Sequence, residues 1–152
     1  MSQRNLRNAT ITITDGNSQS VVVKIGEGNF NFSEKQTMEY SRDRGNLDTC
    51  RRGDDEPVDV SFDFQWEWLT SSTLSTNQDS LRDIIKGNGF VTTGGECEPY
   101  ACNITVELEE EICSNSETLV FSDFRWEEMS YDLRAGQISV SGKCNITEVA
   151  VS

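Results

Sequence analysis

Between Val58 and Trp68 the chain alternates without a break. Val58, Val60, Phe62, Phe64, Trp66 and Trp68 take the even positions, and Asp59, Ser61, Asp63, Gln65 and Glu67 take the odd ones. This period of two is that of a β-strand with one apolar and one polar face. The apolar face has to enter a core or an interface, and the acidic face has to meet water. The aromatic stripe is also the kind of surface that can hold a ligand, but burial is its ordinary use.

Other segments repeat the pattern. Residues 8–14 and 20–25, the second with Val21, Val22 and Val23 in a row, flank the turn residues Asp15, Gly16 and Asn17 and read as a hairpin. A short strand is expected over 29–34. Tyr100, Cys102, Ile104, Val106 and Leu108 alternate with polar residues, as do Ile138, Val140, Gly142, Cys144 and Ile146. Residues 119–126 form a further apolar-aromatic run. The one helix signal lies at 80–87: a capping-box-like Ser80-Leu81-Arg82-Asp83, an apolar stripe of Leu81, Ile84 and Ile85, Lys86 in the last turn and Gly87 as the stop. Six or seven strands with one short flanking helix predict a mainly β domain, a sandwich or small barrel, over residues 1–152.

Residues 35–57 break the pattern. Arg42, Arg44, Arg51 and Arg52 mix there with Asp43, Asp48, Asp54, Asp55 and Glu56. Read as a loop, the stretch is unusually long for a compact domain. It is either a solvated loop or an arm that meets a neighbouring subunit, where mixed charges set register more than affinity.

Charge and residue usage exclude several functions. The net charge is −13, from 13 cations against 26 acids, the opposite of a nucleic-acid binder. No histidine is present, which removes the usual general base and the commonest metal ligand. Cys97 and Cys102 are spaced too widely for an ordinary zinc pair and have no matching second pair. A cysteine nucleophile has no histidine to activate it. Acids are too abundant to single out a glycosidase pair. No catalytic, cofactor or metal site is therefore expected. Asn8, Asn31, Asn103 and Asn145 stand in N-x-S/T contexts, but mostly inside expected strands. Residues 1–7 carry basic side chains without an apolar core, so no secretory signal is expected. No apolar run reaches the roughly 20 residues of a membrane-spanning helix.

The segment from Lys24 to Phe30 (KIGEGNF), then Glu34-Lys35, Glu39-Tyr40 and Asp43-Arg44-Gly45-Asn46-Leu47-Asp48-Thr49, resembles the tail tube proteins of tailed bacteriophages. Pro57 to Phe64 (PVDVSFDF) and the C-terminal segments beginning at Asp123 (DFRWE), Asp132 (DLRAG) and Ile138 (ISVSGKCN) extend the resemblance over most of the chain. It implies a virion protein made in the host bacterial cytoplasm. Six copies would form a ring whose strands join into one β-barrel, and rings would stack into a hollow tube through which DNA leaves without specific binding. Tail sheath, baseplate and tail terminator proteins are the further partners the resemblance implies.

Within that frame Asp59, Ser61, Asp63, Gln65 and Glu67 are expected to line the lumen or its rim, an outward orientation being the alternative. Arg42, Arg44, Asp48, Arg51, Arg52, Asp54 and Asp55 form the expected inter-subunit loop. Of the five cysteines, Cys50 is the expected link between subunits. Cys97, Cys102 and Cys113 are candidates for a local bridge, and Cys144 for a buried thiol. Five reduced thiols are the alternative. A monomeric secreted or surface β-sandwich binding module, using Trp66 or Trp68, is the competing function.

Overall fold

The computed structural model describes residues 9–23, 29–65, 81–87, 90–109 and 116–151. The alternating segments form strands: β1 (Ala9–Thr14), β2 (Ser20–Val23), β3 (Phe30–Ser33), β6 (Val58–Gln65), β7 (Cys102–Glu109), β8 (Ser116–Asp132) and β9 (Gln137–Cys144). Two more, β4 (Met38–Asp43) and β5 (Asn46–Arg52), occupy the stretch expected to be a loop, and a two-residue β10 (Ala150–Val151) closes the chain. The described residues thus hold ten strands rather than six or seven. The helix α1 (Leu81–Lys86) lies where its stop signals place it.

All pairings are antiparallel. The main sheet runs β2-β1-β7-β8-β9-β6-β3, with β10 on β8 off this path, and β4-β5 stands apart. The long β8 is shared. Its first half pairs with β7 and its second half with β9, and Phe124 faces Cys102 on one side and Cys144 on the other. At this corner Asp123 adopts φ 54°, a conformation costly for a side-chain-bearing residue. Three contacts hold it: its N–H donates to Asn103 Oδ1 (3.1 Å), its carboxylate accepts Thr93 Oγ1 (2.9 Å), and its carbonyl accepts the Asn145 N–H (3.4 Å).

The corner folds the two halves into a sandwich. Phe30 and Phe32 of β3, at the far end of the path, reach back to Phe121 of β8, with ring centroids 5.4 and 5.1 Å apart. Phe62 joins Phe30, Phe64 and Phe124 in the same cluster. The buried residues are those expected: Val58, Val60, Phe62 and Phe64 on β6, Cys102, Ile104 and Val106 on β7, and Ile138, Val140 and Cys144 on β9. Gly142 sits in that row because its neighbour strand is too close for a side chain. A Cβ there would lie 2.1 Å from the Arg125 carbonyl. Ile84 and Ile85 of α1 are buried in the core, and the Tyr100 hydroxyl donates to the Ile84 carbonyl (2.7 Å). Trp66 and Trp68 lie outside the described residues.

Candidate assembly surfaces

Strands β3, β6, β9 and the second half of β8 form a four-stranded layer. Its inner face is apolar, so by alternation its outer face is polar. Registers align that face in rows across the layer. Ser33, Asp59, Lys143 and Arg125 make one row, and Asn31, Ser61, Ser141 and Glu128 the next. Asp63, Ser139 and Ser130 follow, then Gln65, Gln137 and Asp132. The middle rows are built from short side chains, leaving two adjoining shallow depressions of about 300 and 460 Å3 that share Asn31 and Ser61.

Charge is graded across the rows. The cations gather at one end: Lys35 Nζ lies 2.6 Å from Asp59 and Lys143 Nζ lies 4.0 Å from it, and Arg125 pairs with Glu98 at 3.0 Å. The Lys35 hydrogen bond holds the Asp59 carboxyl below its ordinary range, and the same bond raises the Lys35 ammonium. Asp63, Glu128 and Asp132 occupy the other rows, and no ion-pair partner stands beside them among the described residues. Four of the five expected lumen residues therefore share one polar face, and Glu67 lies outside the described residues.

Both edges of this layer are open among the described residues. At one edge β3 pairs only with β6. The Asp63 N–H donates to the Asn29 carbonyl (2.9 Å), so Asn29, Asn31 and Ser33 turn their backbone groups toward β6. The alternate residues Phe30 and Phe32 turn theirs outward. At the other edge β8 beyond Phe124 pairs only with β9, and Glu127, Glu128, Ser130, Tyr131 and Asp132 are exposed.

The stretch 35–57 corrects the sequence expectation of an irregular loop. It is a hairpin whose strand residues are all exposed. Arg44 and Gly45, both at positive φ (56° and 83°), make the two-residue turn, a geometry that matches strand twist and favours glycine at its second position. The root is tied by Gly53 N–H to the Thr37 carbonyl (2.7 Å) and by Thr37 Oγ1 to Glu56 (3.0 Å). Arg42, Arg44, Asp48, Arg51 and Arg52 lie on it, and Asp54 and Asp55 follow it. Arg51 already pairs with Glu39 across the hairpin (2.6 Å), and Arg52 reaches Asp55 at 3.8 Å.

Cys50, Cys97, Cys102 and Cys144 are free thiols, the first two exposed and the last two buried. The local bridge expected from Cys97 or Cys102 is not formed between them, and Cys113 lies outside the described residues. Cys102 and Cys144 flank Phe124 on strands once removed, so their Cα atoms stand about 10 Å apart, beyond disulfide reach. Burial pushes both thiols up to about 12, which makes them poor nucleophiles. No group of three or more metal-ligating side chains gathers among the described residues.

Asp15, which the sequence marks only as a turn residue, has a larger part in the fold. It is the one buried charged side chain among the described residues. Its carboxylate accepts the N–H groups of Asn17 (3.0 Å), Gln19 (2.8 Å) and Val91 (3.2 Å). It thereby ties the β1-β2 turn to the segment after α1. An aspartate opening a turn is the only signal the sequence offers for this role.

No family model matches the chain, and no curated protein matches its sequence. The fold does match solved structures. One is a chain of the cryo-EM structure of the sheath/tube terminator, in the extended state, of the extracellular contractile injection system PVC. The TM-score is 0.58 at 11% identity, over 100% of this chain and 98% of that one. Another is a chain of the sixfold-symmetrised cryo-EM structure of the anti-feeding prophage baseplate, with a TM-score of 0.52 at 10% identity, over 100% and 97%. The likeness spans both chains nearly end to end, and what it shows is a shared fold.

Proposed function

We propose that this chain is a structural subunit of a phage-tail-like particle, and that copies of it close into a ring around a lumen. The observation that carries this reading is the four-stranded layer, with a polar outer face and two open edges, on a fold shared with chains of contractile injection systems. The number of strands decides how copies join. With four antiparallel strands, β3 at one edge runs opposite to β8 at the other. A rotation about the ring axis therefore sets β3 of one copy antiparallel to the second half of β8 of the next. Every junction then repeats the geometry within the subunit, and closure removes both edges, which are otherwise aggregation sites.

In this ring the polar face of β6 and its neighbours lines the lumen. Short serine and asparagine side chains give it a smooth wall, and Asp63, Glu128 and Asp132 repel phosphate, so DNA finds no cationic partner along most of it. The sixfold symmetry of the anti-feeding prophage baseplate supports six copies. The tail tube is the place in the particle that fits the sequence resemblance, with sheath, terminator and baseplate proteins as neighbours.

Negative-stain electron microscopy and sedimentation of the purified chain test the ring. Annular particles or tubes are expected, and a strict monomer at high concentration overturns the reading. Phe32→Pro sharpens the test. It removes an outward N–H without touching the bonds to β6, so it should stop closure, whereas Phe32→Ala should permit it.

A further inference from the structure

The hairpin β4-β5 has two faces of different character. Cross-strand partners share a face, and the registers pair Met38 with Arg52, Tyr40 with Cys50 and Arg42 with Leu47. One face therefore carries Met38, Tyr40, Leu47 and Cys50 with two arginines and no acid. Met38, Tyr40 and Leu47 are 44%, 63% and 70% exposed. The other face carries the Glu39–Arg51 ion pair and the hydrogen-bonded Ser41 and Thr49 hydroxyls, together with Asp43 and Asn46, and no large apolar side chain.

A two-stranded hairpin is marginal in water without a covering layer, and among the described residues this one is a sheet by itself. Charge indicates what covers it. Residues 38–52 hold four arginines against three acids, a net +1, which leaves −14 for the rest of a chain totalling −13. The arm is thus slightly cationic in a chain that is strongly acidic as a whole, as are residues 1–7 with Arg4 and Arg7. Its apolar face is also rich in tyrosine, methionine and arginine, residue types enriched at interfaces.

We propose that the face bearing Met38, Tyr40, Leu47, Arg42 and Arg52 docks on the acidic surface of a second copy of this chain, while the Glu39–Arg51 face stays in water. This rests on the ring-subunit reading and adds which side of the arm is buried. Cys50 lies within the buried side and reports on it.

The test compares two double variants of the full chain by sedimentation over a concentration series. Tyr40→Glu with Leu47→Glu should raise the concentration needed for assembly by at least about tenfold, as loss of central interface anchors does. Glu39→Gln with Arg51→Gln, which keeps the net charge, should shift it by less than about twofold. Circular dichroism and thermal unfolding of both variants should match the parent. In parallel, alkylation of Cys50 should slow at least tenfold on assembly while exposed Cys97 reacts unchanged. A parent chain that never assembles overturns both the ring and the docking. A parent that assembles, with the first-face variant assembling equally well or Cys50 remaining fully reactive, overturns the docking alone.

Discussion

The β4-β5 hairpin and the β6-β9 pair are built from the same elements: two antiparallel strands, cross-strand partners (with one register shift in the hairpin, between Tyr40 and Arg42) and alternating side chains. Their surroundings differ completely. Every second residue of β6 is buried, and no strand residue of the hairpin is. Turn chemistry and cross-strand pairs are thus enough to specify a hairpin. They are not what stabilises a domain, because the free energy comes from apolar area removed from water. In the isolated chain the two regions should therefore respond to mutation on different scales.

Truncating the core cluster should have the largest effect. Phe121→Ala removes the ring that joins β8 to Phe30 and Phe32 across the sandwich, and should lower unfolding free energy by about 3–5 kcal/mol in urea denaturation. Leu47→Ala on the hairpin should stay within about 0.5 kcal/mol, as exposed substitutions do. Comparable losses from the two would show that the hairpin is packed in the free chain and break the contrast. Asp15→Ala should fall between them, at about 2 kcal/mol, since it strands three backbone N–H groups. Asp15→Asn keeps one acceptor oxygen and should recover part of the loss.

The same contrast explains what could be read from sequence. β6, β7 and β9 announce themselves because burial of one face imposes a hydrophobic period. The helix is legible from Ile84, Ile85, Lys86 and Gly87 because its stop signals are local. The hairpin is illegible because, with no buried face, Met38, Tyr40 and Leu47 are scattered among charges and no period forms. Its one clue is the Arg44-Gly45 turn. β8 is only half legible. Register shifts at its two irregularities, near Phe121 to Phe124 and near Trp126 to Glu128, change the phase of the alternation. The polar face was legible at Asp59, Ser61, Asp63 and Gln65. Ser139 and Ser141 were legible as the polar side of their own strand, but Ser130 was not, and only the pairing sets all three in rows beside Ser61 and Asp63.

The thiols divide along the same line. Cys102 and Cys144 are buried with pKa values near 12, while an unfolded thiol ionises near pH 8.5. The folded state holds these protons more tightly, so stability is full below about pH 8.5 and falls as pH rises toward 12. The slope should be on the order of 1 kcal/mol per pH unit for each thiol. Cys102→Ala with Cys144→Ala should flatten this alkaline decline, whereas Cys50→Ser and Cys97→Ser should leave it unchanged. An identical decline in both pairs would refute the assignment.

The smallest expected effect concerns an ion pair on the polar face. Lys35–Asp59 and Arg51–Glu39 have the same 2.6 Å separation. The first joins β3's end to a strand anchored in the core, so its geometry is held by the fold, and the second joins two exposed strands. Lys35 lowers the Asp59 pKa through its hydrogen bond, with Lys143 adding a weaker pull from 4.0 Å. A depressed carboxylate stabilises the folded state above its unfolded pKa of about 3.9, and that contribution disappears as pH falls through the lower folded value. NMR titration of the side-chain carboxyl should place Asp59 below the ordinary aspartate midpoint. Lys35→Met should move it back up by more than Lys143→Met does. Because both cations are largely solvated, added salt should shrink the displacement. An Asp59 midpoint insensitive to Lys35→Met would mean that the pair is not held in solution, and that the cationic end of the polar face is no more ordered than the hairpin.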